Sequence, residues 1–120
     1  MSLRDNSVAL NFVNTKKYPA KIPFDPPERY PEHKGNSLNP DNQVYAGGRE
    51  IFHRLGLDKE NFNTRNWNPL KAILKPGMTV FIKPNTVAHA HEKKKDIYSV
   101  IVHGSVLRPI LDYVCIALKN

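Results

Sequence analysis

The sequence predicts an α/β fold, namely a partial Rossmann-like sheet with covering helices, and we interpret it as the incomplete amino-terminal part of a larger domain. Three short runs are rich in β-branched and aromatic residues, which favour strands. Two other segments repeat apolar residues at the spacing of a helix that buries one side. With 120 residues the chain forms one domain at most, and two or three strands with two helices are too few to complete a sheet.

The first 41 residues combine a predicted strand with a proline-rich segment. Residues 7–13 (SVALNFV) alternate and carry enough strand-forming side chains to make the first strand. Residues 14–41 hold six of the ten prolines, each of which removes a backbone donor and restricts the residue before it. We therefore expect residues 14–41, called the arm below, to be extended without regular structure. Phe24 and Tyr30 are candidates to anchor the arm on its own domain or on a neighbouring subunit.

Residues 42–120 make up the predicted α/β portion, which opens with a helix. Asp41 is positioned to cap this helix and Gly56 to end it. The apolar positions that share one face are Val44, Ile51, Phe52 and Leu55. Gly47 and Gly48 lie in the middle, where a glycine costs roughly 1 kcal/mol relative to alanine. We expect close packing to explain them, with a closely bound ligand as the alternative.

The second half of the chain contains two further strand candidates and a final helix. Residues 78–82 form a short apolar run that could be a central strand covered on both faces. Residues 97–102 are the third strand candidate. Apolar residues then repeat at helical spacing over residues 105–118, with Ser105 as the predicted cap and Pro109 close to the first turn.

The formal net charge of +7 points to an acidic partner such as phosphate, nucleotide or nucleic acid. Nucleic acid is the least favoured of these, because the only basic run, residues 93–95, lacks the interleaved aromatic side chains that stack on exposed bases. The sequence therefore predicts an anionic small molecule as the partner.

The compartment is predicted from cysteine use and from the lack of long apolar segments. Cys115 is the single cysteine and lies among apolar neighbours, which indicates a buried thiol in a reduced compartment. No segment approaches the roughly 18 to 20 apolar residues of a membrane span, and no apolar stretch of a secretory signal follows Arg4. We expect a cytoplasmic protein that does not bind membranes.

A ligand site is predicted where the second strand ends, because open α/β sheets bind ligands at the carboxyl ends of their strands. A lysine and an asparagine follow that strand and offer a cation, a donor and an acceptor, unless they only finish the strand and brace a turn. Later, a histidine and a serine open the last helix with an arginine in its first turn, which suits an anion. The predicted ligand-binding residues are Lys83, Asn85, His103, Ser105 and Arg108.

A divalent metal is a further hypothesis. His89 and His91 are two residues apart, so in an extended chain both imidazoles point to the same side and could share a metal ion. His103 is the third candidate ligand, with Asp96 or Glu92 as a carboxylate. The alternative is that the histidines are solvated or hydrogen-bonded in a loop. The sequence assigns no catalytic nucleophile or base.

The segments LGLDKENFNTRNWNPLKAILKPGMTVFIKPNTVAHAH and YSVIVHGSVLRPILDYVCIALK resemble the amino-terminal portion of the bacterial family called domain of unknown function 362. The resemblance covers roughly residues 42–120 and is carried by VFIKPN after KPG and by HGS before a helix. It implies a longer α/β chain and, through association with surface-polysaccharide gene groups, sugar or nucleotide-sugar chemistry. The matching positions are Lys83, Pro84, Asn85, His103 and Ser105. Some members carry iron–sulfur cysteines, whereas Cys115 alone cannot hold a cluster.

Two functions of different classes remain open. The first is an enzyme-like domain that binds or acts on an anionic small molecule, such as a phosphorylated sugar or a nucleotide, at the predicted rim. The second is a non-catalytic binding or assembly module in which the arm wraps a partner subunit, in a homo-oligomer or with a missing carboxy-terminal portion.

Overall fold

The computed structural model describes residues 6–119 and contains two α-helices that pack against each other. Helix α1 spans Gln43–Arg54 and helix α2 spans Gly104–Lys119. Outside these helices, residues 6–119 are irregular except for two short 3-10 turns, Lys59–Asn61 and Ile97–Ser99. Within residues 6–119, neither helix has the length and apolarity that crossing a membrane requires.

The predicted α/β fold is wrong, because no strand or sheet forms among residues 6–119. A strand needs a neighbouring strand to exchange backbone hydrogen bonds. In the described part of the chain, residues 7–13, 78–82 and 97–102 have no such neighbour, and the bond from the Val102 N–H to the Asn85 carbonyl at 2.9 Å does not extend into a ladder. The largest strand-forming side chains in the first two runs are left in solvent, since Phe12 is 96% exposed and Phe81 is 87% exposed. The pattern of β-branched and aromatic residues indicates segments that could pair as strands, but among residues 6–119 the fold places no second strand beside them.

Helix α1 is capped by Asn42 and not by the predicted Asp41. The Asn42 Oδ1 atom accepts a hydrogen bond from the backbone N–H of Tyr45 at 3.1 Å. Its Nδ2 atom donates to the carbonyls of Phe24 and Asp25, both at 2.9 Å. Because a carboxylate only accepts whereas an amide both accepts and donates, Asn42 can cap the helix and tie the arm to it at once.

The two glycines inside helix α1 are explained by close packing, as predicted. A Cβ atom at Gly48 would lie 2.8 Å from Cγ of Pro109 on helix α2. A Cβ atom at Gly47 would overlap the side chain of Val13. Gly56 has a φ of +71° just beyond the helix, a left-handed conformation that favours glycine and confirms its predicted terminating role.

Helix α2 begins one residue before the predicted start, so that Ser105 lies inside it and is fully buried. The backbone N–H of Ser105 donates to Nδ1 of His103 at 3.1 Å, and the Ser105 hydroxyl is 2.8 Å from the same atom. The imidazole of His103 therefore satisfies polar groups in the first turn of the helix, which is the task that the sequence assigned to Ser105.

The core is built largely from aromatic rings. Trp67, Tyr45 and Tyr113 are fully buried. The rings of Trp67 and Tyr113 meet edge to face with their centroids 5.1 Å apart, and the indole N–H donates to the carbonyl of Leu57 at 2.9 Å. Large rings with satisfied polar tips bury much apolar area per residue, which suits a chain with so little regular structure.

The arm packs on its own helices, which is one of the two arrangements considered for its aromatic anchors. Tyr30 is buried and stacks towards Tyr45 of helix α1, with ring centroids 6.2 Å apart. Phe24 meets the His103 ring at 5.1 Å, next to the start of helix α2. The arm therefore crosses both helices and closes one side of a recess against helix α2.

Candidate anion-binding cleft

A recess of about 370 Å³ lies between the arm and helix α2, and we call it the arm cleft. Its titratable lining residues come from three parts of the chain that are distant in sequence. They are Asp25, Glu32, His33 and Lys34 of the arm, Arg65 of the connection after helix α1, and Arg108, Asp112, Cys115 and Lys119 of helix α2. Only the tertiary fold brings these groups together.

The buried side of the arm cleft, called the floor below, consists of two groups of interacting side chains beside Arg108. The first is a buried ion pair between Glu32 and Arg49, whose side chains are 0% and 8% exposed. Oε1 of Glu32 accepts hydrogen bonds from Nε of Arg49 at 2.8 Å and from the Tyr113 hydroxyl at 2.7 Å. Oε2 accepts from Nη2 of Arg49 at 3.3 Å. The guanidinium also lies over three aromatic rings, those of Tyr30, Phe62 and Trp67, at 4.3, 4.7 and 4.8 Å.

Burial and hydrogen bonding hold this pair in fixed protonation states. Burial has the largest single effect and acts to lower the pKa of the Arg49 guanidinium, but the hydrogen bond to Glu32 and the other neighbouring groups together outweigh it, so the pKa is raised. Burial raises the pKa of the Tyr113 hydroxyl, and the Glu32 carboxylate raises it further. Arg49 is therefore a constant cation and Tyr113 a constant donor, which makes this part of the floor structural.

The second element of the floor is a chain of three polar groups. The Tyr45 hydroxyl donates to Oδ2 of Asp112 at 2.7 Å and lies 2.9 Å from Nε2 of His33. Burial raises the pKa of Tyr45, and the neighbouring Asp112 raises it further. Burial also lowers the pKa of His33 below its usual 6.5 and outweighs the opposite effect of Glu32 and Asp112. Near neutral pH this series of hydrogen-bonded groups therefore ends at the arm cleft in the uncharged imidazole of His33.

Arg108 joins the arm to helix α2 at the edge of the floor. Its Nε atom donates to both carboxylate oxygens of Asp112 at 3.0 Å, and its Nη1 atom donates to Asp25 at 3.2 Å and to the Pro23 carbonyl at 2.7 Å. Burial acts to lower the pKa of the guanidinium, but Asp112 and Asp25 outweigh it and the pKa is raised. Each carboxylate in the floor therefore already has a cationic partner, since Arg49 neutralises Glu32.

The mouth of the arm cleft carries cations of a different kind. Lys34, Arg65 and Lys119 line the cleft and are exposed. Among residues 6–119 none of the three forms an ion pair. Their charge is therefore available to an anion that enters from solvent.

The five predicted ligand-binding residues are not gathered in one place. Arg108 lines the arm cleft, whereas His103 lines a second recess of about 720 Å³. Ser105 is buried beside His103, and among residues 6–119 these two alone of the five are hydrogen-bonded to each other. Lys83 is exposed. The Asn85 amide donates to the carbonyl of Val100 at 3.4 Å, which braces an irregular segment.

The histidines considered for a metal site have other contacts. His89 is exposed, and Nδ1 of His91 accepts a hydrogen bond from the backbone N–H of Lys93 at 3.0 Å. The ring of His103 stacks on Tyr18, with centroids 4.5 Å apart, and lies in an aromatic cluster. Over residues 6–119, no three side chains of His, Cys, Asp or Glu are grouped so that they could hold a metal ion.

Sequence reasoning missed most of the arm cleft. His33 and Asp25 lie in the proline-rich arm, where no periodic pattern tells which side chains point inward. Asp112 carried a usable signal, because it follows Arg108 by four residues on a predicted helix and such pairs face each other. That spacing predicts the ion pair, but it does not predict the cleft beside it.

Comparison of the chain with protein-family models, with curated proteins and with solved structures gives no match. The resemblance to the domain of unknown function 362 family therefore stays a prediction. The case for a function rests on the geometry and charge of the arm cleft.

Proposed function

We propose that this chain binds an anionic small molecule, a phosphorylated sugar or a nucleotide, in the arm cleft. The observation that carries the proposal is the contrast between the floor and the mouth. The carboxylates of the floor are paired with Arg49 and Arg108, whereas Lys34, Arg65 and Lys119 at the mouth form no ion pair within residues 6–119.

This distribution of charge favours an anion. A phosphate that enters the arm cleft meets three cations first. The floor behind them carries a single net negative charge, because Asp25 and Asp112 share Arg108 whereas Arg49 balances Glu32, so the excess of cations attracts the phosphate. A lysine offers a mobile point charge and an arginine a planar fork that fits phosphate oxygens. The volume of about 370 Å³ is in the range of small-molecule sites.

The proposal keeps the partner expected from the sequence and relocates the site. Of the predicted ligand-binding residues, only Arg108 lines the arm cleft, where its one positive charge is shared by Asp25 and Asp112. The resemblance to a family linked with polysaccharide gene groups supports the same ligand class. Cys115 is exposed, so the prediction of a buried thiol is wrong, but a chain with a single cysteine still supports the cytoplasm as the compartment.

The alternative function, in which the arm wraps a partner subunit, is less well supported. The anchoring side chains of the arm are used within the chain, because Tyr30 and Glu32 are buried against the two helices. An arm engaged in this way has fewer groups to offer to another subunit. We therefore base the proposed function on the cleft that the arm encloses.

The test is a calorimetric titration of the purified chain with ribose 5-phosphate and with adenosine monophosphate at low ionic strength. Arg65→Ala removes a mouth cation that has no ion-pair partner in the described part of the chain, and Arg29→Ala removes an exposed arm arginine that does not line the cleft. We expect Arg65→Ala to weaken binding about fivefold to tenfold, as for the loss of one partly screened charge contact. Arg29→Ala should leave the affinity within about twofold.

Two results would count against the proposal. If neither ligand binds the wild-type chain, the arm cleft is not a site for this class of molecule. If Arg65→Ala and Arg29→Ala weaken binding equally, the attraction comes from the overall positive charge and not from the arm cleft.

A further inference from the structure

His33 lies where the second element of the floor opens into the arm cleft, and its hydrogen bonds define which ring nitrogen carries a proton. Asp112 is paired with Arg108 on both oxygens, so its carboxylate can only accept. The Tyr45 hydroxyl has a single hydrogen, which it donates to Asp112 at 2.7 Å. The contact of 2.9 Å between Nε2 of His33 and the Tyr45 oxygen therefore requires His33 to be the donor.

The other ring nitrogen of His33 follows from this assignment. A neutral imidazole has one proton, so a proton on Nε2 leaves Nδ1 with a lone pair. Nδ1 has no hydrogen-bond partner in the described chain, and within residues 6–119 the one buried side-chain polar atom without a partner is Oδ1 of Asn68. Nδ1 is therefore reached by solvent, and the recess that His33 lines is the arm cleft.

The surroundings of His33 keep the ring neutral at physiological pH. Burial lowers its pKa, and this is the largest effect. The charged and titratable groups that face the ring are Glu32 and Asp112, which act to raise the pKa, Arg49 and Arg108, which act to lower it, and the rings of Tyr30, Tyr45 and Tyr113. The balance leaves a neutral acceptor beside an array of cations.

We propose that Nδ1 of His33 accepts a hydrogen bond from a hydroxyl group of the bound anion, so that the arm cleft selects phosphorylated sugars over anions without a hydroxyl donor. The inference rests on the proposed function, since the mouth cations bind the phosphate while His33 binds a hydroxyl group of the sugar that carries it. The Cys115 thiol also lines the cleft, but its sulfur is only a weak acceptor. Every other titratable group in the lining is a cation or is ion-paired within residues 6–119, which leaves His33 as the strong acceptor for a neutral donor.

Two ligands separate the roles of the mouth and of His33. Ribose 5-phosphate carries hydroxyl donors beside its phosphate, whereas methyl phosphate offers the same anionic group with none on the ester. We expect the wild-type chain to bind ribose 5-phosphate more tightly. His33→Phe keeps an aromatic ring among Tyr30, Tyr45 and Tyr113 but removes the acceptor. This substitution should weaken the binding of ribose 5-phosphate about fivefold to tenfold, as for the loss of one hydrogen bond, and leave the affinity for methyl phosphate within about twofold of wild type.

A second measurement needs no substitution. Two-bond hydrogen–nitrogen correlation spectra of the uniformly labelled chain report which nitrogen of His33 is protonated, and we expect the proton on Nε2 at neutral pH. Addition of ribose 5-phosphate should shift the Nδ1 resonance, whereas methyl phosphate should shift it much less. A proton found on Nδ1 in the free chain would overturn the inference even if the variant does not fold.

The outcomes separate this inference from the proposed function. If neither phosphate ester binds, both fail together. If both esters bind and Arg65→Ala weakens them, but the ratio of their affinities is the same in wild type and His33→Phe, the arm cleft is an anion site and the role of His33 is refuted. If the ratio collapses in His33→Phe and the Nδ1 resonance responds to the sugar phosphate alone, the inference holds.

Discussion

Replacement of Glu32 by glutamine tests how far the buried ion pair holds the arm to the helices. In the wild-type chain the carboxylate accepts hydrogen bonds from Arg49 at 2.8 and 3.3 Å and from Tyr113 at 2.7 Å. An amide has the same shape but only one accepting oxygen, and its N–H groups face the donors of Arg49. Glu32→Gln therefore leaves a buried cation whose counter-charge is gone.

The magnitude follows from the burial of Arg49. Its side chain is 8% exposed, so water cannot replace the lost carboxylate. Removal of one partner from a buried pair costs about 3 to 5 kcal/mol. Arg49 keeps a hydrogen bond of 2.9 Å to Asn63 and its position over three aromatic rings, which offset part of the loss. We expect the free energy of unfolding to fall by about 3 kcal/mol, near the lower end of that range.

Urea denaturation followed by tryptophan fluorescence measures this loss, because Trp67 lies under Arg49 in the core. The matched control is Glu50→Gln, which removes a carboxylate that is 37% exposed and paired with Arg54 on the surface of helix α1. It should cost about 0.5 kcal/mol or less. The midpoint should fall in Glu32→Gln with an unchanged slope. If both variants lose the same small amount, the buried pair does not anchor the arm.

Three further predictions concern packing, capping and pH. Gly48→Ala should cost about 1 to 3 kcal/mol because its methyl group would overlap Pro109, whereas Gly35→Ala, with no neighbour in reach, should be nearly neutral in the same denaturation assay. Asn42→Asp should keep the cap of helix α1 but lose the two hydrogen bonds that Asn42 donates to the arm, so its free energy of unfolding should fall by about 1 to 3 kcal/mol. If Asn42→Asp and Asn42→Ser, which also keeps a capping oxygen, are both as stable as the wild-type chain, these two bonds contribute nothing. Burial lowers the pKa of His33, so the unfolded chain binds a proton that the folded chain excludes. This contribution to stability is complete above about pH 6.5 and is lost as the pH falls towards the folded pKa; His33→Phe should flatten that fall in pH-dependent urea titrations, and exposed His89→Phe should not.

Parts of the fold were predictable from the sequence because they depend on local interactions. Helices α1 and α2 formed close to their predicted bounds, since a helix closes its hydrogen bonds within a few residues. The lack of regular structure in the arm followed from its prolines. The close approach at Gly47 and Gly48 followed from the cost of glycine in a helix.

The strands and the candidate site were not predictable, for a related reason. A strand depends on a second segment that must lie beside it, and the run that contains Phe81 found none in the described chain. The choice of Asn42 as the cap depends on carbonyl groups of the arm that the helix sequence does not reveal. His103 was expected beside a strand end, and it lies among aromatic rings in the lining of the second recess.

The sequence by itself determined where the two helices lie, that the arm has no regular structure and that the chain is strongly basic. Only the tertiary structure decided which charges cancel and which remain open to a ligand. Arg108 and Arg65 look alike in the sequence, but Asp25 and Asp112 neutralise the first, whereas no carboxylate among residues 6–119 pairs with the second. The physical reason is that a helix depends on interactions between residues a few positions apart, whereas the net charge that a cleft presents to a ligand depends on ion pairs between residues that meet only after folding.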